Sequence, residues 1–216
     1  MIDTAIFDMD GLLLDTEPLW TKSMQRISEK HKIPVEPHQF KETTGLKIHE
    51  VVAYWAIKYP WQGSSVQEVA EEVIDDIIKL SKQEGRVMPG VISLLNKLQK
   101  MNFKLGVATS SPIRMLQELI HYFELQSYFI ELSSADTVGL GKPHPAVFLH
   151  CAAQMGSNPL SCVVFEDSVN GVIAGKAARM KVIAVPDTLH FEDKRFGIAD
   201  LKFKSLEEVN PETDFN

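Results

Sequence analysis

Residues 4–11 constrain the fold and chemistry of this chain more than any other stretch. Residues 5–7 form a short apolar run typical of a buried strand in a parallel sheet. Asp8 and Asp10 follow two positions apart, so their side chains point to the same side of extended backbone. Gly11 then allows a sharp turn. Because open α/β sheets bind ligands at the carboxyl ends of their strands, the sequence predicts a binding site here.

The pattern after residue 88 predicts the fold class. Apolar runs of strand length alternate there with apolar positions at helical spacing, which is typical of a parallel sheet with helices on both faces. The sequence therefore predicts an α/β protein with a doubly wound parallel sheet. Further strands are expected at residues 103–108, 129–132, 162–165 and 181–185, whereas the tail from about residue 187 has less pattern.

A helical segment interrupts the alternation between the first two strands. Residues 17–83 contain no strand pattern, and residues 66–78 carry apolar side chains at helical spacing with acidic residues between them. We therefore predict two domains. The α/β core comprises residues 1–16 and 84–216, and a smaller helical domain comprises residues 17–83.

Two predicted strands end in acidic pairs. Glu166 and Asp167 follow the apolar residues 163–165 just as Asp8 and Asp10 follow the first strand. One interpretation is structural, an acidic turn after the first strand and an acidic helix cap after the later one. The other is a shared cation, because four carboxylates facing one another would otherwise raise each other's pKa.

Four stretches, in the same order, make the chain resemble the haloacid dehalogenase (HAD) superfamily of phosphotransferases. The resemblance covers almost the whole chain and implies a HAD-like Rossmannoid core with a small four-helix cap, of the C1 type, over the strand ends. The stretches are Asp8-Met9-Asp10-Gly11, Val107-Ala108-Thr109-Ser110-Ser111, Gly141-Lys142-Pro143-His144-Pro145 and Phe165-Glu166-Asp167-Ser168.

The resemblance implies phosphoryl transfer through a covalent aspartyl-phosphate. Asp8 would be the nucleophile, and Asp10 the general acid and base. Thr109 and Ser110 would bind the substrate phosphate, although these hydroxyls could also simply cap the following helix. Lys142 would place a positive charge beside both Asp8 and the phosphate.

The resemblance also implies a magnesium site. Its ligands would be the Asp8 carboxylate, the Asp10 backbone carbonyl and Asp167, with Glu166 behind them or as an occasional ligand. Oxygen ligands beside a phosphate suit Mg²⁺ better than zinc or copper, with Mn²⁺ or Co²⁺ as substitutes.

The helical segment indicates the substrate class. Thr44-Gly45-Leu46-Lys47 resembles a substrate-facing cap loop, and the aromatic residues in 54–61 are distinctive, although they could equally form the cap's own core. The chain looks like the branch of bacterial hexitol phosphatases and 2-deoxyglucose-6-phosphatases. Lys47 stands where relatives often carry Arg, a change that alters the geometry of contacts to sugar oxygens.

Three functional interpretations follow from these features. The first is a Mg-dependent phosphatase acting on a small phosphorylated sugar or sugar alcohol. A sugar phosphomutase of the β-phosphoglucomutase type shares all four motifs and is the main alternative. A non-enzymatic phosphosugar-binding protein belongs to another class, and it would be expected to have lost Asp8 or Asp10.

Net charge, the length of apolar runs and the cysteine spacing limit which ligands and which cellular location we expect. A net charge of −7 and the lack of a basic run argue against nucleic acid and anionic membranes as ligands. The first strand begins too early to leave room for a signal peptide, and no apolar run approaches membrane-spanning length. Cys151 and Cys162 have no metal or redox spacing, which fits a reducing cytoplasm. We expect a cytoplasmic monomer.

Overall fold

The computed structural model describes residues 1–43 and 46–215. Six strands form one parallel sheet in the order β3-β2-β1-β4-β5-β6. The α/β class with a parallel sheet is therefore confirmed. The strands are β1 (Thr4–Phe7), β2 (Lys104–Thr109), β3 (Glu131–Ser134), β4 (Cys162–Glu166), β5 (Lys181–Ala184) and β6 (Leu201–Lys202).

The sheet differs from the sequence prediction at its last strand. β6 contains two residues and lies in the tail, where the sequence showed little pattern. A strand this short has no measurable alternation of polar and apolar positions, so periodicity could not reveal it.

Helices flank the sheet and also form the segment between β1 and β2. The α-helices are α1 (Glu17–Lys30), α2 (Ile48–Lys58), α3 (Val66–Glu84), α4 (Val91–Lys100), α5 (Ile113–Tyr122), α6 (Ala135–Val138), α7 (Ala146–Gln154), α8 (Val169–Ala177) and α9 (Pro211–Asp214). Short 3₁₀ helices span Pro37–Thr43, Pro159–Ser161, Lys194–Ile198 and Leu206–Glu208. No helix in the described ranges has the length and apolar character needed to cross a membrane.

We call the segment that contains α1, α2 and α3 the helical insertion. Its described part holds these three α-helices and one 3₁₀ helix, Pro37–Thr43, where the family resemblance implied four helices. α3 begins at a capping box, in which the Ser65 hydroxyl accepts from the Glu68 amide and the Glu68 carboxylate accepts from the Ser65 amide. α3 packs against α1, α2 and α5 through its buried apolar face, so the buried side chains of the insertion continue into the core of the sheet.

The register of the central strands determines which loops meet. β1 lies between β2 and β4, with Phe7 opposite both Val107 and Phe165. The Phe7 and Phe165 rings stack at 4.7 Å between centroids. The three strands therefore end within two residues of one another in the register, and the residues at their carboxyl ends share one edge of the sheet.

Candidate active site

A cavity of about 430 Å³ lies between this sheet edge and the helical insertion. The strand ends supply a polar floor, and the insertion supplies a wall that is largely apolar. The floor is lined by Asp8, Asp10, Thr109, Ser110, Ser111, Pro112, Lys142, Asp167, Ser168 and His190. The wall is lined by Glu17, Trp20, Thr21, Met24, Pro37, His38, Phe40, Thr43, Leu46, Ile48 and Val51.

Lys142 lies at the centre of the charged network on the floor. Its ammonium donates to Asp8 Oδ1 and, at 2.6 Å, to Glu166 Oε1. Its side chain is buried, which would lower its pKa, but the charges of Asp8 and Glu166 outweigh burial and raise the pKa of Lys142. The ammonium is therefore a permanent positive charge beside Asp8.

Asp8 follows β1 and is also buried. Burial, opposed by the Lys142 charge and assisted by Glu166 and Asp10, raises the pKa of Asp8 to about 8. One ammonium therefore does not compensate the carboxylates that surround it. A further cation would lower the pKa of Asp8 and keep its carboxylate ionised and nucleophilic at neutral pH.

Asp10 accepts three hydrogen bonds through its carboxylate. Thr16 Oγ1 and Trp20 Nε1 donate to Oδ1 at 2.6 and 3.0 Å, and Ser111 Oγ donates to Oδ2 at 2.6 Å. These three partners were not among the predicted site residues. Ser111 belongs to a stretch that carried the family resemblance, whereas Trp20 comes from α1 of the insertion and links that helix to Asp10.

Thr109 is the last residue of β2, Ser110 follows it, and both line the cavity. Thr109 Oγ1 accepts from the Ser111 amide at 3.1 Å, so this hydroxyl helps to shape the turn. Ser110 Oγ accepts from the Lys142 amide at 3.2 Å. It thereby connects the turn to residues 139–145, which we call the lysine loop. The two predicted phosphate-binding residues therefore lie on the same cavity as Asp8.

Glu166 is fully buried and held from several directions. Its Oε2 accepts from the amide and hydroxyl of Ser168 at 3.0 and 2.9 Å, while its Oε1 faces Lys142. A Cβ built on Gly171 would lie 1.8 Å from the Glu166 carboxyl carbon, so α8 can approach only because this position is glycine. Glu166 therefore fixes Lys142 and has little freedom to move.

Asp167 faces the cavity beside the turn that follows Asp10. A Cβ on Gly11, whose φ is +75°, would lie 2.2 Å from Asp167 Oδ2, so glycine is needed here for both conformation and space. Burial raises the pKa of Asp167 well above its ordinary value, and the charges of Glu166, Asp8 and Glu17 add to this effect.

The donor set fits a hard divalent cation. Burial raises the pKa of both Asp8 and Asp167, and the charges of neighbouring carboxylates add to the rise in each case, which is the condition that a cation relieves. No group of three or more His, Cys, Asp and Glu side chains in the described ranges is arranged as a metal site. Mg²⁺ suits a site with only two carboxylate side chains, because it binds to few carboxylates and keeps water or phosphate oxygens as its other ligands.

Glu17 is a cavity residue that the sequence did not predict. It is the first residue of α1, and solvent in the cavity reaches its side chain. Although solvent reaches the side chain, the surrounding protein in the cavity desolvates the carboxylate, and this effect, followed by the charges of Asp10 and Asp187, raises the pKa of Glu17 to about 7. His190 lines the same cavity, with Nδ1 2.7 Å from Asp187 Oδ2.

The predicted substrate-facing loop lies partly outside the described residues, because Thr44 and Gly45 fall in the gap. Leu46 lines the cavity. Lys47 is not among the described lining residues, and its Nζ donates to the Gly139 carbonyl at 3.1 Å, so it connects the insertion to the lysine loop.

The distinctive aromatic residues of the insertion pack with one another. Trp55 stacks on Tyr59 with centroids 6.1 Å apart, and Phe40 and Tyr54 make edge contacts to Trp55. Phe40 is the member of this group that also lines the cavity. The aromatic cluster therefore belongs mainly to the interior of the insertion.

Known proteins are similar to this chain over nearly its full length. It is 42% identical to hexitol phosphatase B of Escherichia coli, over 95% of this chain and 93% of that protein. The crystal structure of CbbY from Rhodobacter sphaeroides with phosphate superposes with a TM-score of 0.88 at 22% identity, covering 97% of both chains. That of a putative β-phosphoglucomutase from Thermotoga maritima gives 0.76 at 28% identity, covering 96% of both.

A family model also matches the chain. The model of haloacid dehalogenase-like hydrolases covers residues 5–185, which include both acidic strand ends, the lysine loop and the helical insertion. Together with the relatives above, this match shows that the chain belongs to the haloacid dehalogenase-like hydrolase family.

Proposed function

We propose that this protein is a Mg²⁺-dependent phosphatase of small phosphorylated sugars and sugar alcohols that works through an aspartyl-phosphate on Asp8. The observation that carries the proposal is the floor of the cavity. There the Asp8 carboxylate at the end of β1 contacts Lys142, and Asp10 lies on the same surface. The similarity to hexitol phosphatase B supports the substrate class.

The proposed reaction has two steps with a proton transfer in each. A carboxylate oxygen of Asp8 attacks phosphorus, the ester P–O bond breaks, and Asp10 donates a proton to the leaving sugar oxygen. Asp10 then accepts a proton from a water molecule that attacks the phosphoenzyme, which releases phosphate and restores Asp8. Lys142 offsets the negative charge that Asp8 and the phosphoryl group bring together.

Asp8, Asp167 and the Asp10 carbonyl would hold Mg²⁺, with Mn²⁺ or Co²⁺ as substitutes and Glu166 behind them. When bound, the cation would offset phosphate charge and orient the phosphoryl group. Thr109 and Ser110 would bind the remaining phosphate oxygens through hydroxyl and amide groups. Ser110 Oγ already contacts the Lys142 loop, which supports this placement.

The helical insertion serves as the cap in this proposal, and the core comprises residues 1–16 and 84–216. Its apolar wall fits the carbon face of a sugar, while hydroxyl groups would face the polar floor. Lys47 lies beside the lysine loop and is proposed to reach the sugar end of a bound substrate. A cytoplasmic location, which the two free cysteines support, and a monomeric state are also proposed.

Sugar phosphomutase is the second candidate, because a putative β-phosphoglucomutase shares the fold at 28% identity. The two reactions differ in whether water or a second phosphosugar takes the phosphoryl group from Asp8. A non-enzymatic phosphosugar-binding role fits less well, since it would not require the Asp10 network of three donors.

Steady-state hydrolysis of hexitol 6-phosphates and hexose 6-phosphates in ¹⁸O-water tests the proposal. We expect labelled inorganic phosphate, unlabelled sugar and no need for a sugar bisphosphate. Asp8→Asn should lower turnover at least about 10,000-fold, because an amide cannot replace the nucleophile. Asp15→Asn, which alters a surface pair with Arg86, is the matched control and should stay near wild type.

Two results would contradict the proposal. Interconversion of hexose 1- and 6-phosphates with little free phosphate would establish the mutase instead. Retention of more than about one hundredth of the activity by Asp8→Asn would remove Asp8 from the nucleophile role.

A further inference from the structure

The charges around the cavity are unbalanced. Among the described residues that line it, Lys142 is the sole lysine or arginine, and it already contacts Asp8 and Glu166. The lining also carries the carboxyl groups of Asp10, Asp167 and Glu17. In the described lining, the one lysine charge therefore faces the phosphoryl group, and no lysine or arginine lies on the wall beside Glu17 to attract a second anionic group.

Glu17 is the carboxyl group in this set that has no part in the proposed chemistry. It immediately follows Thr16, which donates to Asp10, and its Cγ lies 3.2 Å from where a Cβ on Gly11 would stand. In the described residues no lysine or arginine forms an ion pair with Glu17. The nearby His190 is hydrogen-bonded to Asp187, so a protonated ring would be offset by that carboxylate.

Such a carboxylate treats neutral and anionic parts of a ligand differently. It accepts hydrogen bonds from hydroxyl groups, which compensates its own loss of hydration. It repels a carboxylate or second phosphate, and this repulsion is stronger in a partly enclosed cavity than in bulk water. One side chain can thereby favour polyols and reject acids of the same size.

We propose that Glu17 determines specificity by charge: it admits phosphate monoesters of neutral polyols and excludes substrates with a second anionic group, such as sugar bisphosphates and phosphorylated sugar acids. This inference rests on the proposed phosphatase function and adds a residue to it. Glu17 contacts the substrate's hydroxyl end, while Asp8 and Asp10 act on the phosphoryl group.

A matched pair of substrates isolates the effect. Sorbitol 6-phosphate and 6-phosphogluconate share a six-carbon chain and differ at carbon 1, which is a hydroxymethyl group in one and a carboxylate in the other. kcat/KM is measured for both at pH 8 with saturating Mg²⁺, so that the Glu17 carboxyl is ionised. Wild type should prefer sorbitol 6-phosphate at least about tenfold, a ratio within reach of one charge repulsion.

Three variants test the residue. Glu17→Gln should lower the preference about tenfold, mainly by raising kcat/KM for 6-phosphogluconate. Glu17→Asp keeps the charge and should keep most of the preference. Glu29→Gln removes a charge from the same helix, α1, at an exposed position and should leave the preference unchanged.

The outcomes separate this inference from the proposed function. An unchanged preference in Glu17→Gln overturns the inference. Equal losses with both substrates, accompanied by a higher Mg²⁺ concentration for half-maximal activity, also overturn it, because Glu17 would then support the metal site. If wild type hydrolyses no sugar or hexitol monophosphate, the proposed function itself fails.

Discussion

The strand-end floor and the helical insertion hold their charges in opposite ways. On the floor, Lys142, Asp8 and Glu166 form an ionic cluster with almost no access to solvent. In the insertion and at its contact with the core, ion pairs are accessible to solvent, as between Lys82 of α3 and Glu118 of α5 at 2.7 Å, whose side chains are 34% and 38% exposed. The molecule therefore buries paired charges at the strand ends and leaves those of the insertion accessible to water.

This difference has an energetic side. Removing one partner of a buried ion pair leaves an uncompensated charge and typically costs about 3–5 kcal/mol. An exposed pair such as Lys82 with Glu118 contributes about 0–1 kcal/mol, because water and salt screen it. The buried cluster is accordingly a poor source of stability but a strong constraint on where Lys142 can be.

Among the changes that test this contrast between the two regions, Lys142→Met should have the largest effect. It leaves Asp8 and Glu166 without their ammonium, so phosphate release should fall at least about 1,000-fold and the folded state should lose about 3 kcal/mol. Lys82→Met is the matched control, since the same change at an exposed pair should cost under about 1 kcal/mol. Urea unfolding and phosphate-release assays measure both. Equal losses of stability in the two variants would contradict the contrast between the regions.

A smaller effect should appear in the pH dependence of the metal-free protein. The pKa of Asp8 rises from 3.8 to about 8 on folding, so between these values the folded state binds more protons than the unfolded state. Stability should therefore be highest at the acid end of this window and fall as pH rises through it.

Thermal unfolding in EDTA and in Mg²⁺ checks this expectation. In EDTA the contribution of Asp8 to the melting temperature should decline from about pH 5 to pH 8. Mg²⁺ should raise the melting temperature most at pH 8, where the carboxylates are ionised. Lys142→Met removes a charge that lowers the pKa of Asp8, so it should extend the decline to higher pH. A Mg²⁺ effect that is independent of pH would argue against Asp8 and Asp167 as ligands.

The smallest effect should come from Trp20→Phe, which touches the contact between the two regions. This change removes the indole N–H that donates to Asp10 Oδ1 but keeps an aromatic ring in the cavity wall. Since Thr16 and Ser111 still hold Asp10, we expect kcat to fall about three- to tenfold with KM little changed. An altered pH profile of kcat would mark a positioning role, and a change in KM alone would assign Trp20 to substrate binding.

Local patterns predicted the floor of the site well. Asp8 and Asp10 follow an apolar strand two positions apart, and the alternation of strands and helices is enough to bring Glu166 and Asp167 to the same sheet edge. Lys142 is expected there from the family resemblance and lies beside Asp8. The roles of these residues and the boundaries of the two domains stay predictions.

The side chains around Asp10 could not be predicted in the same way. Trp20 reaches Asp10 because α1 packs with a particular rotation against the core, and no spacing in the sequence encodes that rotation. Ser111 points at Asp10 because the turn after β2 directs its hydroxyl inward. Lys47 lies on the Gly139 carbonyl for a similar reason, since the position of α2 depends on contacts distant in sequence.

The central position of β1 has a consequence for how this chain folds. Its hydrogen-bonding partners are residues 104–107 on one side and 162–165 on the other, while α1, α2 and α3 find partners much nearer in sequence. During synthesis the helices can therefore form early, whereas both edges of the apolar strand β1 stay unpaired until β2 has been made. A ribosome-bound chain that stops before β4 would leave one edge of β1 unpaired and open to aggregation or chaperone binding. Such a chain would also lack Glu166 and Asp167, so the charged cluster at the strand ends could not form.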